Sequence, residues 1–551
     1  MNTILTLLSR EQMRLYSAAG LWGDETIYAL VRQHAEREPA RYAVRERARR
    51  ISYGELIAAA DRLAADLGAH GVRAGQRVAV WLPSRLECAI ALLACSRNGY
   101  VCCPSLHRDH ATGEVLDLLR RIRAAAFMAQ PGYGGDAARR DIFAELGDIP
   151  SLRRVHRLEP DASAANVLAA AGELGAQSPK QDANAVVYLA FTSGTTGAPK
   201  GVLHSDNTLL ANARVMASDW GIGRESVVYA LSPVSHNLAF GAMVMALSCG
   251  AELVLHDLPK GASLVDRIVE TGATFMVGVP AHALDLLQEM RARRLERLGR
   301  LSGFRISGAA VSREIVAGLL ERGVVPQSGY GMTESCSHQY TLPSDDPKRI
   351  VETSGRACRG YEIRIWRADD RDVEAPIGEV GEIGGRGASL MLGYFDDQQA
   401  TEDSFNAHGW FMTGDLGWMD ADGYLRVTGR KKDVIIRGGH NIHPARIETL
   451  AMQHAAVERA AAIPVRDARL GEKVCLAVVV RANQRVEPAE LLAHLDGAGL
   501  STYDMPEYFL AVDHIPSTPS GKMRKRDLVE AVEQGRLNPI PIRWQTKQQA
   551  S

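Results

Sequence analysis

The sequence predicts an α/β protein: a large N-terminal domain of parallel α/β subdomains plus a β-rich subdomain, then a small α+β C-terminal domain. Three observations carry this. At 551 residues the chain is too long for one compact core. Short apolar strands alternate with helical patterns through most of its first two thirds, which implies βαβ units. From about residue 360 the pattern changes to short strands separated by turns.

Taken in order, Tyr53 to Gly68 has apolar residues at helical spacing (Leu56, Ile57, Ala60, Leu63, Leu67) and reads as an amphipathic helix. Arg77 to Leu82 reads as a strand and Leu86 to Ser96 as a buried helix. Val186 to Phe191 is a strand running into a glycine-rich loop. Leu238 to Ala251, about fourteen weakly polar residues, is short for a membrane span and reads as a core helix. Glu252 to His256 and Phe275 to Val279 are short strands, Ala281 to Arg294 a helix, and Arg305 to Ser307 a strand ending at Gly308-Ala309-Ala310. In open parallel sheets ligands bind beyond the carboxyl ends of strands, so these glycines lie where a site is built. Strands at Tyr361 to Trp366, Gly378 to Gly384 and Gly423 to Thr428 make the β-rich part. Ala460 to Ile463 and Val474 to Val480 are strands of a last unit ending near 530, with a looser tail after about 535. The expected boundary divides 1–431 from 432–551.

Composition narrows the function. A net charge of −1 argues against a nucleic-acid partner. The N-terminus lacks the basic start and small-residue cleavage site of a signal peptide. Eight cysteines without a C-x-x-C pair fit reduced thiols, so a cytoplasmic protein is expected. No G-x-S-x-G elbow, H-E-x-x-H or Cys/His cluster appears, which disfavours a serine hydrolase and a resident transition metal.

The most informative segment is Thr192-Ser-Gly-Thr-Thr-Gly-Ala-Pro-Lys-Gly201. Glycines let backbone N–H groups curl round an anion, the hydroxyls add donors and Lys200 adds a mobile charge, so the loop suits a polyphosphate. It is not a Walker A loop, because glycine follows the lysine. Four further segments stand out: Tyr330-Gly-Met-Thr-Glu334, Thr413-Gly-Asp415, Gly429-Arg430 leading into Arg437-Gly-Gly439, and Pro516-Ser-Thr-Pro-Ser-Gly-Lys522.

Together, in this order and spacing, these five segments closely resemble the acyl-adenylate-forming superfamily, which includes acyl- and aryl-CoA synthetases, peptide-synthetase adenylation domains and beetle luciferases. The resemblance covers residues 25 to 530 or so. It implies an acyl-CoA synthetase-like fold with a mobile small domain, and an enzyme that joins a carboxylate to AMP, releases pyrophosphate, and lets a thiol displace AMP. ATP, Mg2+ and coenzyme A are the implied cofactors, and a small carboxylic acid the substrate; a monomer or homodimer is expected. Thr192, Ser193, Gly194, Thr195, Thr196, Gly197 and Lys200 would hold the β- and γ-phosphates. Thr333 would bond the α-phosphate and Glu334 would help hold the metal. Tyr330 would stack on adenine opposite Gly308, Ala309 and Ala310; Asp415 would take the ribose hydroxyls with Arg430 assisting. Lys522 would bridge the carboxylate and the α-phosphate. Lys432 would be the hinge on which the small domain turns, bringing Gly438 and Gly439 to line a tunnel for the pantetheine arm.

For the acid pocket, the resemblance places His236 at a gating position beside the acyl group, with Asn237, Phe240, Val277, Gly278, Val279, Gly331, Met332 and Cys336 as further walls. These are mostly apolar and of moderate size, with no Asp or Lys to pair an amino acid's charges, so a compact apolar or ring-bearing acid is expected. Residues 19–27 and 96–107 look like the cyclohexanecarboxylate-CoA ligase subgroup, which adds an alicyclic acid to an aromatic one as the expected substrate. Medium-chain fatty acids, and a carrier-protein thiol in place of coenzyme A, are the alternatives. A silent nucleotide sensor is disfavoured by the presence of Lys200, Glu334, Asp415 and Lys522 together.

Overall fold

A computed structural model describes residues 6–46, 49–160, 182–192, 199–259, 261–308, 311–438, 440–517 and 523–544. The chain forms two compact units, one of residues 1–362 with 385–405, the other of 363–384 with 406–551. The boundary expected at 431/432 lies inside the second unit, because the β-rich segment packs with the C-terminal residues.

The first unit holds two sheets. One has nine described strands, in the order Arg356–Ala357, Cys336–Tyr340, Val325–Met332, Gly303–Ser307, Phe275–Gly278, Val227–Ala230, Glu252–Leu255, Tyr42–Arg45 and Arg50–Ser52. Its centre is parallel, from Tyr42–Arg45 across to Val325–Met332. The other sheet has seven described strands and is built round Arg77–Trp81, Val101–Cys103 and Val186–Thr192. Neither sheet is parallel throughout. Lys200–Ser205 runs antiparallel to Val186–Thr192, with Thr192 opposite Lys200, so the glycine-rich loop is the connection of a hairpin. An apolar run such as Val202-Leu203 reports burial and not direction, so the antiparallel return of this strand is not legible from it.

The helices follow their sequence signals. Ser52 caps Tyr53–Ala69 in a capping box with Glu55. Leu86–Asn98 is buried on all sides and ends on Gly99 in the left-handed conformation. Asn237–Ser248 is covered from Ala239 to Leu247 apart from Gly241, as a core helix should be. No described helix is long and apolar enough to cross a membrane. All eight cysteines are free thiols.

The second unit carries most of a sheet of four described strands (Tyr361–Trp366, Gly381–Gly387, Phe411–Met419, Leu425–Arg430) and a sheet of six described strands centred on Gly471–Val480. The strand expected at 378–384 is displaced to Gly381–Gly387. Gly378 instead takes φ +87 in a turn closed by Glu379 N–H on Pro376 O. The displaced strand needs its glycines, since a Cβ at Gly384 would lie 2.4 Å from Trp366 Nε1. Within the described part of the tail, Ile540–Pro541 pairs with Tyr508–Phe509, and Ile542 and Trp544 pack on the apolar core of this unit.

Candidate active site

In the first unit, two hairpins and one short strap bring the candidate phosphate and metal residues together. Thr192 and Lys200 face each other at the base of the first hairpin; Ser193, Gly194, Thr195, Thr196 and Gly197 lie outside the described residues. The second hairpin joins Val325–Met332 to Cys336–Tyr340, with Thr333 and Glu334 in its turn. This turn is tight. A Cβ at Gly331 would lie 2.2 Å from Cys336 O, and Cys336 itself has φ +59.

His204, fully buried on the first hairpin, ties the two together. Its Nε2–H donates to Thr333 O at 2.8 Å. A carbonyl only accepts, so in the neutral ring Nδ1 accepts from the Thr208 hydroxyl 3.0 Å away. Burial pushes the His204 pKa down to about 4, so the ring is neutral near pH 7. Glu334, 6% exposed, accepts from the Tyr394 hydroxyl at 3.0 Å. Tyr394 also lies under Lys200, whose Nζ sits 4.6 Å from the ring centre. The motif order exposes neither His204 nor Tyr394, and no local signal marks them.

Tyr330 is half-buried and meets the His338 ring edge-on at 5.4 Å, and His338 stacks on Tyr361 at 4.1 Å. Gly308 follows the strand Gly303–Ser307 with φ +95, the left-handed region expected of a glycine there; Ala309 and Ala310 lie outside the described residues.

Among the proposed acid-pocket walls, His236 caps Asn237–Ser248 and stacks face-on with His107 at 4.2 Å and 15°. His107 is anchored by Nδ1 on Ser235 Oγ at 3.1 Å and by its own carbonyl, which accepts from Trp81 Nε1 at 2.9 Å. Burial, then the neighbouring His236 and His110, pushes the His107 pKa down to about 3. Asn237 Nδ2 donates to Met332 O at 3.4 Å, linking this helix to the strand that carries Tyr330 and Gly331. Phe240 and Val277 are covered core side chains, Phe240 stacking on Tyr188 at 4.0 Å. Gly278 is close-packed: a Cβ there would meet His282 Nδ1 at 2.9 Å and Leu231 Cδ1 at 3.1 Å. Val279 caps the helix that begins at Pro280, one residue before its expected start.

In the second unit, Asp415 and Arg430 are register partners on adjacent antiparallel strands, with Arg430 Nε 3.3 Å from Asp415 Oδ1. Gly414, at φ +72, turns the strand so that its N–H reaches Glu382 Oε1 at 3.3 Å. Lys431 Nζ pairs with Glu382 Oε2 at 2.8 Å. Lys432 is exposed in a 3-10 turn, Lys431–Asp433, between two strands. Gly438 has φ +58 and its N–H donates to Leu470 O at 2.7 Å. Gly439 and Lys522 lie outside the described residues; Ser517 and Met523, flanking Lys522, pair with each other.

The profile of the AMP-binding enzyme family matches residues 31–395, and that of the AMP-binding enzyme C-terminal domain matches residues 446–522. The chain is 30% identical to the medium-chain fatty-acid–CoA ligase of Escherichia coli (strain K12), over 95% of this chain and 94% of that protein. It is 32% identical to the salicyl-AMP ligase / salicyl-S-ArCP synthetase of Mycobacterium tuberculosis, over 93% and 92%. The structure of ATP-bound MatB from Rhodopseudomonas palustris superposes with a TM-score of 0.82 at 28% identity, covering 92% of this chain and 99% of that one.

Proposed function

The chain belongs to the AMP-binding enzyme family and is an AMP-forming acid–thiol ligase, and from that premise we propose that it converts a ring-bearing carboxylic acid, aromatic or alicyclic, to its acyl-adenylate and passes the acyl group to coenzyme A. The observation that carries the ring preference is the flat stack of His107 on His236, next in the chain to Asn237, whose amide bonds the Met332 carbonyl. A planar, moderately polar wall suits a ring and its substituents better than a flexible alkyl chain. The likeness to a salicyl-AMP ligase supports this reading.

The roles follow from charge. Adenylation brings a carboxylate against an α-phosphate, two anions, so cations and oriented donors must offset their repulsion. Lys200 and the loop at 192–197 hold the β- and γ-phosphates. The Thr333 hydroxyl donates to the α-phosphate. Glu334 offers a hard carboxylate oxygen, which fits Mg2+. Among the described residues no group of three or more His, Cys, Asp or Glu stands ready to hold a metal ion. When bound there, Mg2+ offsets phosphate charge. Tyr330 and Gly308 flank the adenine, Asp415 accepts from the ribose hydroxyls, and Arg430 holds the Asp415 carboxylate in place. Lys522 bridges the acid and the α-phosphate. After pyrophosphate leaves, residues from 432 onward turn at Lys432, and Gly438 and Gly439 admit the pantetheine thiol, which attacks the acyl carbon and displaces AMP.

A second reading, a medium-chain fatty acid as substrate, is favoured by the likeness to the Escherichia coli ligase across nearly the whole chain. A panel of cyclohexanecarboxylate, benzoate, hydroxybenzoates and linear acids of four to twelve carbons, with ATP, Mg2+ and coenzyme A, separates the two. Ring acids should give the highest kcat/KM for AMP release, dependent on coenzyme A. A preference for linear acids would replace the first reading with the second. Pyrophosphate release without turnover on coenzyme A would point to a carrier-protein thiol.

A further inference from the structure

The segment 391–395 is joined to both hairpins of the first unit at once. Met391 N–H donates to Glu334 O at 2.7 Å, on the side of the Thr333-Glu334 turn. Leu392 N–H donates to Leu203 O at 2.8 Å and Phe395 N–H to Gly201 O at 2.7 Å, on the side of the strand that starts at Lys200. Gly393 and Tyr394 are in antiparallel register with Leu203 and Val202. Tyr394 N–H is fixed in turn by Thr401 Oγ1 at 2.9 Å. The backbone of Tyr394 therefore has little freedom, and its side chain, 7% exposed, reaches from one hairpin to the other.

That side chain does two different things. Its hydroxyl donates to Glu334 Oε1 at 3.0 Å, and its ring faces the Lys200 ammonium at 4.6 Å. Burial and the Glu334 carboxylate raise the phenol pKa, so the group stays protonated and remains a donor. A carboxylate that is to meet a cation in one orientation needs an outer partner to hold it, and a lysine that is to meet phosphate needs a seat that does not neutralise it. An aromatic face provides such a seat, whereas a carboxylate would compete with the phosphate.

We propose that Tyr394 is a positioning residue that aims the Glu334 carboxylate and the Lys200 ammonium into one MgATP site, a specific coupling of the phosphate-binding and metal-binding halves that sequence order does not reveal. The inference rests on the reading of Lys200 and Glu334 as nucleotide-site residues. It divides Tyr394 into separable parts: the hydroxyl serves the metal side and the ring serves the phosphate side.

Calorimetric titration of the full-length protein with ATP, once in EDTA and once across a Mg2+ series, tests this without turnover. Tyr394→Phe keeps the ring and removes the donor. It should raise the Mg2+ concentration needed for half-maximal enhancement of ATP binding about tenfold, the scale of losing an outer partner of a metal ligand. Its ATP affinity in EDTA should match wild type. Tyr394→Leu removes both parts and should also weaken ATP binding in EDTA, by about threefold. An unchanged Mg2+ dependence in the Phe variant, or an equal loss with and without Mg2+, overturns the proposal. If the Leu variant does not melt cooperatively, the Phe variant alone decides. A wild-type protein that binds no ATP would refute the underlying reading of the site. A wild type with Mg2+-dependent binding and an indifferent Phe variant would refute this inference alone.

Discussion

The two units hold their candidate site residues in different ways. In the first, Thr333 and Glu334 are fixed by buried neighbours: His204 on the Thr333 carbonyl, Tyr394 on the Glu334 carboxylate, and a turn in which Gly331 has no space for a side chain. In the second, the corresponding contacts are ion pairs whose cations face solvent. The Arg430 side chain is 39% exposed against Asp415, and that of Lys431 is 45% exposed against Glu382. Solvent screens the two cations, while the Asp415 and Glu382 carboxylates that they meet are themselves covered. The contrast bears on function: Thr333 and Glu334, which must already be in place when charge develops, are locked, while Arg430 and Lys431 directly precede Lys432, where the chain is proposed to turn.

The sharpest way to break that contrast is Lys522→Ala. If Lys522 joins the site only for the first step, adenylate formation should fall about a thousandfold, the upper range for losing one electrostatic contact to a transition state. Thioester formation from supplied acyl-adenylate should stay near wild type. Single-turnover assays of each half-reaction read this directly, and an equal loss in both would remove the assigned role. Next in size is Lys432→Pro. Fixing φ at the proposed pivot should leave adenylation intact and slow the thiol step about a hundredfold, as expected when a reacting group cannot reach its position. Normal thioester formation would refute the hinge.

How much of this was legible in the sequence differs by residue. Strands such as Val186–Thr192 and Phe275–Gly278 are short apolar runs bounded by turn residues, and they were readable. The antiparallel direction of Lys200–Ser205 was not, since apolarity reports burial alone. The Thr192–Gly201 loop and the Tyr330–Glu334 segment stand out in the sequence as motifs because glycine, hydroxyl and charge sit together in one stretch of chain. Tyr394 and His204 do not. Their partners lie 60 and 129 residues away, and nothing in the local sequence of either names a partner. Phe240, expected at the acid pocket, also stacks on Tyr188, a contact that position on a helix does not reveal.

A pair of glycine substitutions sharpens the same comparison. Gly331→Ala in the first unit forces a methyl group to within 2.2 Å of Cys336 O, and should cost about 2–3 kcal/mol by overpacking. Gly414→Ala in the second unit meets nothing within 4 Å and only has to hold φ +72, a cost of about 1 kcal/mol. Urea denaturation of the two variants should show the larger shift for Gly331→Ala. Equal shifts would mean the Thr333-Glu334 turn is no more tightly built than the Asp415 turn.

A further expected effect concerns His204 and is read as a slope. Its pKa in the folded protein is about 4 because the ring is buried, while an unfolded histidine titrates near 6.5. Above pH 6.5 the ring is neutral in both states and contributes no pH dependence. Between pH 6.5 and 4 the unfolded chain binds one more proton at this position, so stability falls as pH falls, by about 1.4 kcal/mol per pH unit from this group. Below pH 4 both states are protonated and the dependence ends. His204→Gln keeps a donor for Thr333 O but cannot titrate. Its stability, measured by urea denaturation between pH 6.5 and 4, should therefore fall less steeply than wild type by about that one-proton slope. Parallel lines would show that His204 takes up a proton as readily in the folded protein as in the unfolded chain, and the lock on Thr333 would then not depend on a buried neutral ring.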